Sequence, residues 1–440
     1  MIIIGGGVAG LSAALEAQRL GVTPRLYEAA PGLGGRVRSF YDRRWGGELD
    51  NGPHLIIGAC SALLALLDQL DTRALLDPVD PCQYTFWRAS DGLSHLRCPP
   101  LPAPLHLLIG LFRFPGLTMK DRLAAVRLGW SLVQGAEKWA GQSVTQWAEG
   151  TGQTEALFQR LWSPLCLAAL NEPPASADAP LFLATLKETF LDQAAGAIPM
   201  PARVTLDRLL ITPAAQKIRQ QGGAITTRWR LRQIQTEGNR VTVLKEAKAS
   251  LSVQKDPVVL ALPSRVISRL MPEWAEQKEI NTMESAPIVS LYFRFDGLHP
   301  LPETMLGCSD GVGQWFFDRC ALGMDSGQGQ EYAVVISGAY REIHSASEEL
   351  VAAIMVQLQQ LVPSLGDQQP SVVRVVRERF ASFSPWPGIK RPGTHTAWEN
   401  LFLAGDWTDT GLPATMEGAV RSGQRAARMA LEFQAGSRGE

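Results

Sequence analysis

The first ten residues, MIIIGGGVAG, constrain the chain more than any other stretch. Four apolar residues suited to a buried strand run directly into Gly5-x-Gly7-x-x-Gly10, then into an alanine-rich segment with helical spacing. Each glycine answers a separate geometric demand. Gly5 permits the tight turn, Gly7 lets backbone approach a pyrophosphate beside Val8 and Ala9, and Gly10 lets the helix pack closely on the strand. The helix N-terminus adds positive potential where phosphates would sit. Alone, this pattern specifies a dinucleotide and no more. A second strand-like run, TPRLYE, ends on Glu28, eighteen residues past Gly10. A carboxylate there can accept both ribose hydroxyls and would repel a 2′-phosphate.

Which dinucleotide is decided further along. GLGGRVRSF supplies Gly34, Gly35 and Arg36. A second glycine pair followed by arginine suits a cofactor large enough to pass the backbone twice, with Arg36 neutralising phosphate charge, and this favours FAD over NAD. Near the other end, LFLAGDWTDTGLPATMEGAVRSG delivers Gly405 and Asp406 from an apolar strand, placing a carboxylate where it can hydrogen-bond a polyol chain. Thr415 is a good N-cap for a helix beginning at Met416. Gly418, Ala419, Ser422, Gly423, Ala426 and Ala427 give that helix a face of small residues. Such a face admits a flat ring, or else tight packing on a sheet.

Three apolar strands, at 1–4, 258–263 and 400–406, lead into turns and helices as in a buried parallel sheet. Residues 61–190 read as mostly helical, with helices at 121–140 and 154–170, the latter interrupted by Pro164. Segments 286–295, 313–319 and 331–340 alternate like half-exposed antiparallel strands, and 348–361 has helical spacing. The expected class is α/β: a Rossmann-like FAD-binding domain built from discontinuous segments, with an inserted α+β substrate domain of antiparallel sheet plus helices. Segments 1–85, 201–272 and 386–440 fall to the first domain. Residues 86–200, as a helical lobe, and 273–385, as the sheet, fall to the second.

Composition narrows the functional classes. The 42 Lys and Arg nearly balance 43 Asp and Glu, and no basic run interleaves with aromatics, which argues against nucleic acid. Six cysteines show no C-x-x-C and no metal spacing, so reduced thiols and no metal are expected. No nucleophile elbow supports acyl transfer. No segment reaches the roughly 20 apolar residues of a membrane span. Residues 105–114, LHLLIGLFRF, come nearest and lie among prolines. The expected location is cytoplasmic, peripheral at the inner face of the membrane.

Together, Gly5–Gly10, Glu28, Gly34-Gly35-Arg36 and the Gly405-Asp406 block resemble the FAD-binding superfamily of amine oxidases and phytoene desaturases. LDNGPHLIIGAC (49–60), LWSPLCLAALNEPP (161–174) and LAGDWTDTGLPATMEGAVRSG (403–423) resemble a narrower group, the hydroxysqualene dehydroxylases (squalene-associated FAD-dependent desaturases) of hopanoid biosynthesis. The likeness runs along nearly the whole chain. It implies a reductive reaction, in which an allylic C30 alcohol loses its hydroxyl and gains hydride. It also places Gly52 and Pro53 near the flavin ring, and Leu231 on a strand whose backbone meets the adenine.

Such chemistry needs a proton donor, an apolar pocket and reduced FAD. His54 is the first candidate donor because imidazole titrates in a useful range; shaping the loop is its other role. Asp50 is the second, with fixing the turn before Gly52 as its other role. Trp315, Phe317 and Trp407 are candidate pocket walls. A lipophilic substrate suggests a membrane-facing entry at 105–117 and along the helix carrying Trp130 and Trp139. Three alternatives share these residues: an oxidising carotenoid or phytoene-type desaturase, an amine oxidase with two aromatics around a cation, and a non-catalytic prenyl-protein escort-like binding protein.

Overall fold

The computed structural model describes residues 1–133, 135–253 and 256–436, without the side chains of 130–133 and 435–436. The Trp130 side chain, expected on the membrane-facing path, lies outside the described residues.

One sheet is parallel and has five strands, in the order Leu401–Leu403, Val258–Leu260, Ile2–Ile4, Arg25–Tyr27, Ala224–Thr226. Ile2, Ile3 and Ile4 stand beside Val258, Val259 and Leu260, which stand beside Leu401, Phe402 and Leu403. All nine side chains are buried. Burial on both faces explains why these strands read as unbroken apolar triplets rather than as alternation. Helices Val8–Arg19 and Met416–Gly436 pack against each other and against this sheet. Their approach is set by glycine: a Cβ on Gly10 would stand 1.9 Å from the Gly5 carbonyl oxygen, and one on Gly423 would stand 2.1 Å from that of Ala9.

The second sheet has seven strands, in the order Val372–Phe383, Ser285–Phe295, Gln330–Ser337, Trp315–Asp318, Met305–Cys308, Gln83–Arg88, Gly92–Arg97. All neighbours are antiparallel except Met305–Cys308 beside Gln83–Arg88. Along Ser285–Phe295 the side chains divide by period two. Val289, Leu291, Phe293 and Phe295 enter a core shared with helix Ser347–Leu361. Ser290, Tyr292 and Arg294 face the opposite way. The Tyr292 hydroxyl donates to the Asp50 carbonyl at 2.8 Å, and Arg294 Nη2 donates to the Trp45 carbonyl at 2.7 Å.

Three sequence expectations change. The hairpin Gln83–Arg88/Gly92–Arg97 is a sheet edge inside a stretch read as helical; Asp91-Gly92 at its turn is the signal that marks it. Helix 121–140 is instead Met119–Val133 followed by a short turn, Ala136–Trp139. Pro164 breaks nothing: a wide helical turn, Phe158–Trp162, precedes helix Ser163–Leu170, so the proline falls in that helix's first turn, where a missing N–H is harmless. Asn171 then ends the helix at φ 54°, donating from Nδ2 to the Ala286 carbonyl (3.2 Å) and Ser382 Oγ (2.8 Å) and accepting from the Gly338 N–H at 2.6 Å. One asparagine thus ties the helical lobe to the large sheet.

Candidate functional site

The two glycine segments lie side by side. The Gly34 N–H donates to the Gly6 carbonyl at 2.8 Å, and Gly7 pairs with Gly34 in a short parallel bridge. Gly34 and Gly35 take φ of 98° and 56°, a region that favours glycine. A Cβ built on Gly7 would meet nothing within 4 Å, so the space before this loop is open and backbone-lined. Glu28 is held at the edge of that space, accepting from the Gly6 N–H and the Ala30 N–H, each at 2.7 Å. The Trp229 N–H donates to the Glu28 carbonyl at 2.9 Å, and buried Leu231, expected on a strand, lies in the irregular segment just before strand Gln233–Glu237. Open backbone, a fixed carboxylate and a helix N-terminus suit a dinucleotide.

A second convergence joins segments far apart in sequence. Arg36 Nη2 meets Asp406 Oδ1 at 2.6 Å, and Nη1 donates to the Ala381 carbonyl at 2.9 Å. Arg36, expected to face phosphate, bridges the second glycine pair to the C-terminal strand end. Burial works against its charge, yet Asp406 and Glu378 hold its pKa above the usual value. Asn51 Nδ2 donates to the Arg36 carbonyl (3.3 Å) and to Glu378 Oε2 (3.2 Å). A Cβ on Gly52 would stand 3.1 Å from Ser290 Oγ, a buried hydroxyl without a hydrogen-bond partner among the described residues. An orphaned hydroxyl beside a glycine fits a site completed by another group.

The C-terminal block departs from expectation in two places. Trp407, read as a pocket wall or one side of an aromatic cage, is buried beneath the strand end, its indole N–H donating to the Leu262 carbonyl at 2.9 Å. Gly405 at φ 153° leaves room for that indole, since a Cβ would stand 2.6 Å from its Nε1. The small-residue face around Gly423, Ala426 and Ala427 is taken up by packing rather than by a flat ring. Thr415 caps as expected: its Oγ1 accepts from the Gly418 N–H at 3.0 Å, and the helix begins at Met416. Glu417, which the sequence reading passed over, accepts from Ala62 N–H (3.0 Å), Leu63 N–H (2.8 Å) and Arg421 Nε (2.6 Å), so one carboxylate caps helix Ser61–Gln69. An acid in a helix's first turn was the available signal.

Both candidate proton donors line one narrow pocket of about 20 Å³, with Pro53, Phe317, Arg319 and Met324. Asp50 Oδ1 accepts from Ser39 Oγ (2.5 Å) and the Leu206 N–H (2.9 Å). Burial nevertheless pushes its carboxyl above the usual range. His54 Nδ1 lies 2.8 Å from the Gly52 carbonyl. A carbonyl only accepts, so Nδ1 carries the proton. Burial lowers the His54 pKa, against the Gly52 carbonyl and Asp50. The ring is therefore neutral near pH 7, with Nε2 an acceptor. Trp315, two residues before Phe317 on the same strand face, packs edge-on against Phe86 at 6.1 Å. Behind the pocket, fully buried Glu331 receives Arg294 Nη2 at 2.9 Å and Arg319 Nε at 3.3 Å. Among the described residues no group of three or more His, Cys, Asp or Glu side chains is placed to hold a metal ion.

Residues 8–431 match a family described as flavin containing amine oxidoreductase. The chain is 32% identical over 442 residues to a hydroxysqualene dehydroxylase of Rhodopseudomonas palustris, covering 98% of this chain and 97% of that one. It is 28% identical over 484 residues to a probable zeta-carotene desaturase of Synechococcus elongatus, covering 98% of each. Among solved structures, cyclohexylamine oxidase from Brevibacterium oxydans aligns with a TM-score of 0.72 at 18% identity, covering 98% of this chain and 99% of that one.

Proposed function

The chain belongs to the flavin containing amine oxidoreductase family, with FAD as its cofactor, and we propose that within it the protein reductively dehydroxylates hydroxysqualene to squalene. The full-length similarity to the Rhodopseudomonas palustris dehydroxylase carries this reading. Gly5, Gly7, Val8, Ala9, Gly10, Gly34 and Gly35 hold the phosphates by backbone, and Glu28 and Leu231 serve the adenosine end. Gly52, Pro53, Thr415 and Met416, with the Arg36–Asp406 pair, serve the ring end. Segments 1–85, 201–272 and 386–440 make the cofactor half; 86–200 and 273–385 make the substrate half.

Held by those residues, FAD in its reduced form would supply the hydride that the reaction requires. The C–O bond breaks, a C–H bond forms, and the departing hydroxide takes one proton to leave as water. Asp50 is the group that holds that proton. Its Oδ1 already receives two donors, so the proton sits on Oδ2, and burial keeps it there to higher pH. Neutral His54 cannot donate from Nε2. It accepts from the substrate hydroxyl and orients it, reversing the order of the two candidates read from sequence. Phe317 and Trp315 keep water from the reacting carbon, and an aromatic face stabilises positive charge developing there. A C30 hydrocarbon partitions into bilayers, so the reading includes peripheral attachment at the cytoplasmic face of the membrane.

The test is anaerobic incubation of the flavin-loaded protein with a reductant and hydroxysqualene, followed by analysis of the lipid extract. Squalene is expected. Its absence, together with dehydrogenation of a carotene under oxidising conditions, would replace the proposal with the desaturase reading that the Synechococcus relative supports.

A further inference from the structure

Among the described residues, twelve large apolar side chains stand exposed, and six of them (Leu101, Leu105, Phe112, Met119, Leu123 and Val126) fall within twenty-six consecutive positions. They form two stripes. On helix Leu105–Arg113, Leu105 and Phe112 are 52% and 49% exposed, two turns apart, with Leu108 and Ile109 half-buried between them. His106, Leu107, Gly110 and Leu111 on the opposite side are buried. On helix Met119–Val133, Met119, Leu123 and Val126 are 55%, 57% and 52% exposed, at i, i+4 and i+7. Asp121, Ala124, Ala125 and Leu128 are buried. Each helix thus satisfies the core with one apolar side and shows water a second one. The stripes adjoin, because the Arg122 guanidinium lies over the Phe112 ring at 5.2 Å.

The charge carried by this segment is almost all of one sign. Residues 101–133 carry Arg113, Lys120, Arg122 and Arg127 against a single acid, Asp121. That acid is buried and spent on the Thr118 N–H and hydroxyl, each at 2.7 Å. Basic residues interspersed along an exposed apolar face, in a chain whose formal net charge is −1, are a local feature. They oppose pairing with a second copy of the chain and complement a negative surface that can also receive side chains a few ångströms deep.

We propose that the outer face of helices Leu105–Arg113 and Met119–Val133 docks on an anionic phospholipid bilayer, with Leu105, Phe112, Met119, Leu123 and Val126 entering the headgroup boundary. This deepens the proposed function, on which it rests only for the lipid character of the substrate. A protein attached this way takes its substrate directly from the acyl layer, without carrying a C30 chain through water.

The flavin-loaded protein, with no substrate present, is floated with vesicles of phosphatidylglycerol and phosphatidylcholine, and separately with phosphatidylcholine alone. Flotation with the anionic vesicles that weakens with added salt is expected. Phe112→Glu combined with Leu123→Glu abolishes it, Lys120→Glu weakens it about tenfold, and Leu298→Glu, at an exposed apolar residue outside the two helices, leaves it unchanged. Turnover of detergent-dispersed hydroxysqualene, measured in parallel, stays at the wild-type level in every variant that remains folded. Equal flotation of wild type and the double variant overturns the proposal. So does equal binding to neutral vesicles, or conversion of a dimer to a monomer by the double variant with flotation unchanged. Because flotation needs no turnover, failure of the dehydroxylase reading would appear only in the parallel assay.

Discussion

Two glycine-to-alanine substitutions separate packing from cofactor binding, and their effects should be opposite. In Gly423→Ala the new Cβ would stand 2.1 Å from the Ala9 carbonyl oxygen and 3.1 Å from the Ala13 nitrogen. Both are backbone atoms of a helix and cannot rotate away. Ordinary contact begins near 3.4 Å, so helices Val8–Arg19 and Met416–Gly436 must part by about 1.3 Å. Overpacking of this kind costs about 1–3 kcal/mol, and rigid neighbours place Gly423→Ala at the upper end. In Gly7→Ala the φ of −79° suits alanine, and the added methyl meets nothing within 4 Å, so stability should stay within about 0.5 kcal/mol of wild type. The same methyl occupies the space before the loop where the phosphates approach, so the FAD dissociation constant should rise tenfold or more, about 1.4 kcal/mol. Urea unfolding of flavin-free protein followed by circular dichroism gives the first quantity, and titration by flavin fluorescence gives the second. Gly7→Ala protein binding FAD as tightly as wild type would remove the open loop as the phosphate cradle. An unchanged urea midpoint in Gly423→Ala would refute backbone contact as the reason for that glycine.

Three further outcomes follow from buried polar groups. His106 is buried with neither ring nitrogen partnered among the described residues, and burial lowers its pKa. The unfolded chain takes up a proton below about pH 6.5 while the folded one resists it. His106→Leu should therefore be more stable by about 1–3 kcal/mol near pH 7.5, and its advantage over wild type should widen on going to pH 5.5, as read from urea midpoints. Asp50 has a raised pKa, so the folded protein retains a proton above about pH 4 where the unfolded chain has lost it, and this contribution to stability fades as pH rises toward the folded value. Asp50→Asn should flatten that slope and lower turnover at least about a hundredfold while an unchanged flavin spectrum shows the cofactor still bound. Glu417→Ala leaves two helix N–H groups and Arg421 Nε without this acceptor, while the Arg421 guanidinium keeps Glu188, and should lower stability by about 2–3 kcal/mol in thermal unfolding, with Glu417→Gln recovering part of the loss.

The parallel sheet was legible in the sequence because its information is local. Ile2, Val258 and Leu401 each begin apolar triplets bounded by turn residues, and burial on both faces writes that pattern directly into the chain. The hairpin at 83–97 carries a local signal too, Asp91-Gly92 at its turn, but its place in the large sheet is not legible, since the neighbouring strand, Met305–Cys308, lies more than two hundred residues away. Pro164 shows the reverse case. Proline is a reliable stop for a regular helix, but a widened turn before it removes the conflict, and nothing in the residues 158–162 announces that turn.

In the site, residues that act through backbone were readable and those that act through distant pairing were not. The Thr415 cap meets Gly418 one turn on, and Glu28 meets Gly6 within a single strand–helix–strand unit. Arg36 carries the same chemistry wherever it points. Only the fold reveals that its guanidinium meets Asp406 and the Ala381 carbonyl across more than three hundred residues. The same limit applies to His54 and Asp50, whose order the proposed mechanism reverses. By residue type imidazole is the better proton donor, yet the Gly52 carbonyl fixes its proton on Nδ1 and burial keeps the ring neutral. Burial has the opposite consequence for a carboxyl group, favouring the protonated form. In the proposed mechanism one enclosed pocket therefore makes the imidazole an acceptor and the carboxyl the proton's resting place, a property of the enclosure and of neither side chain alone.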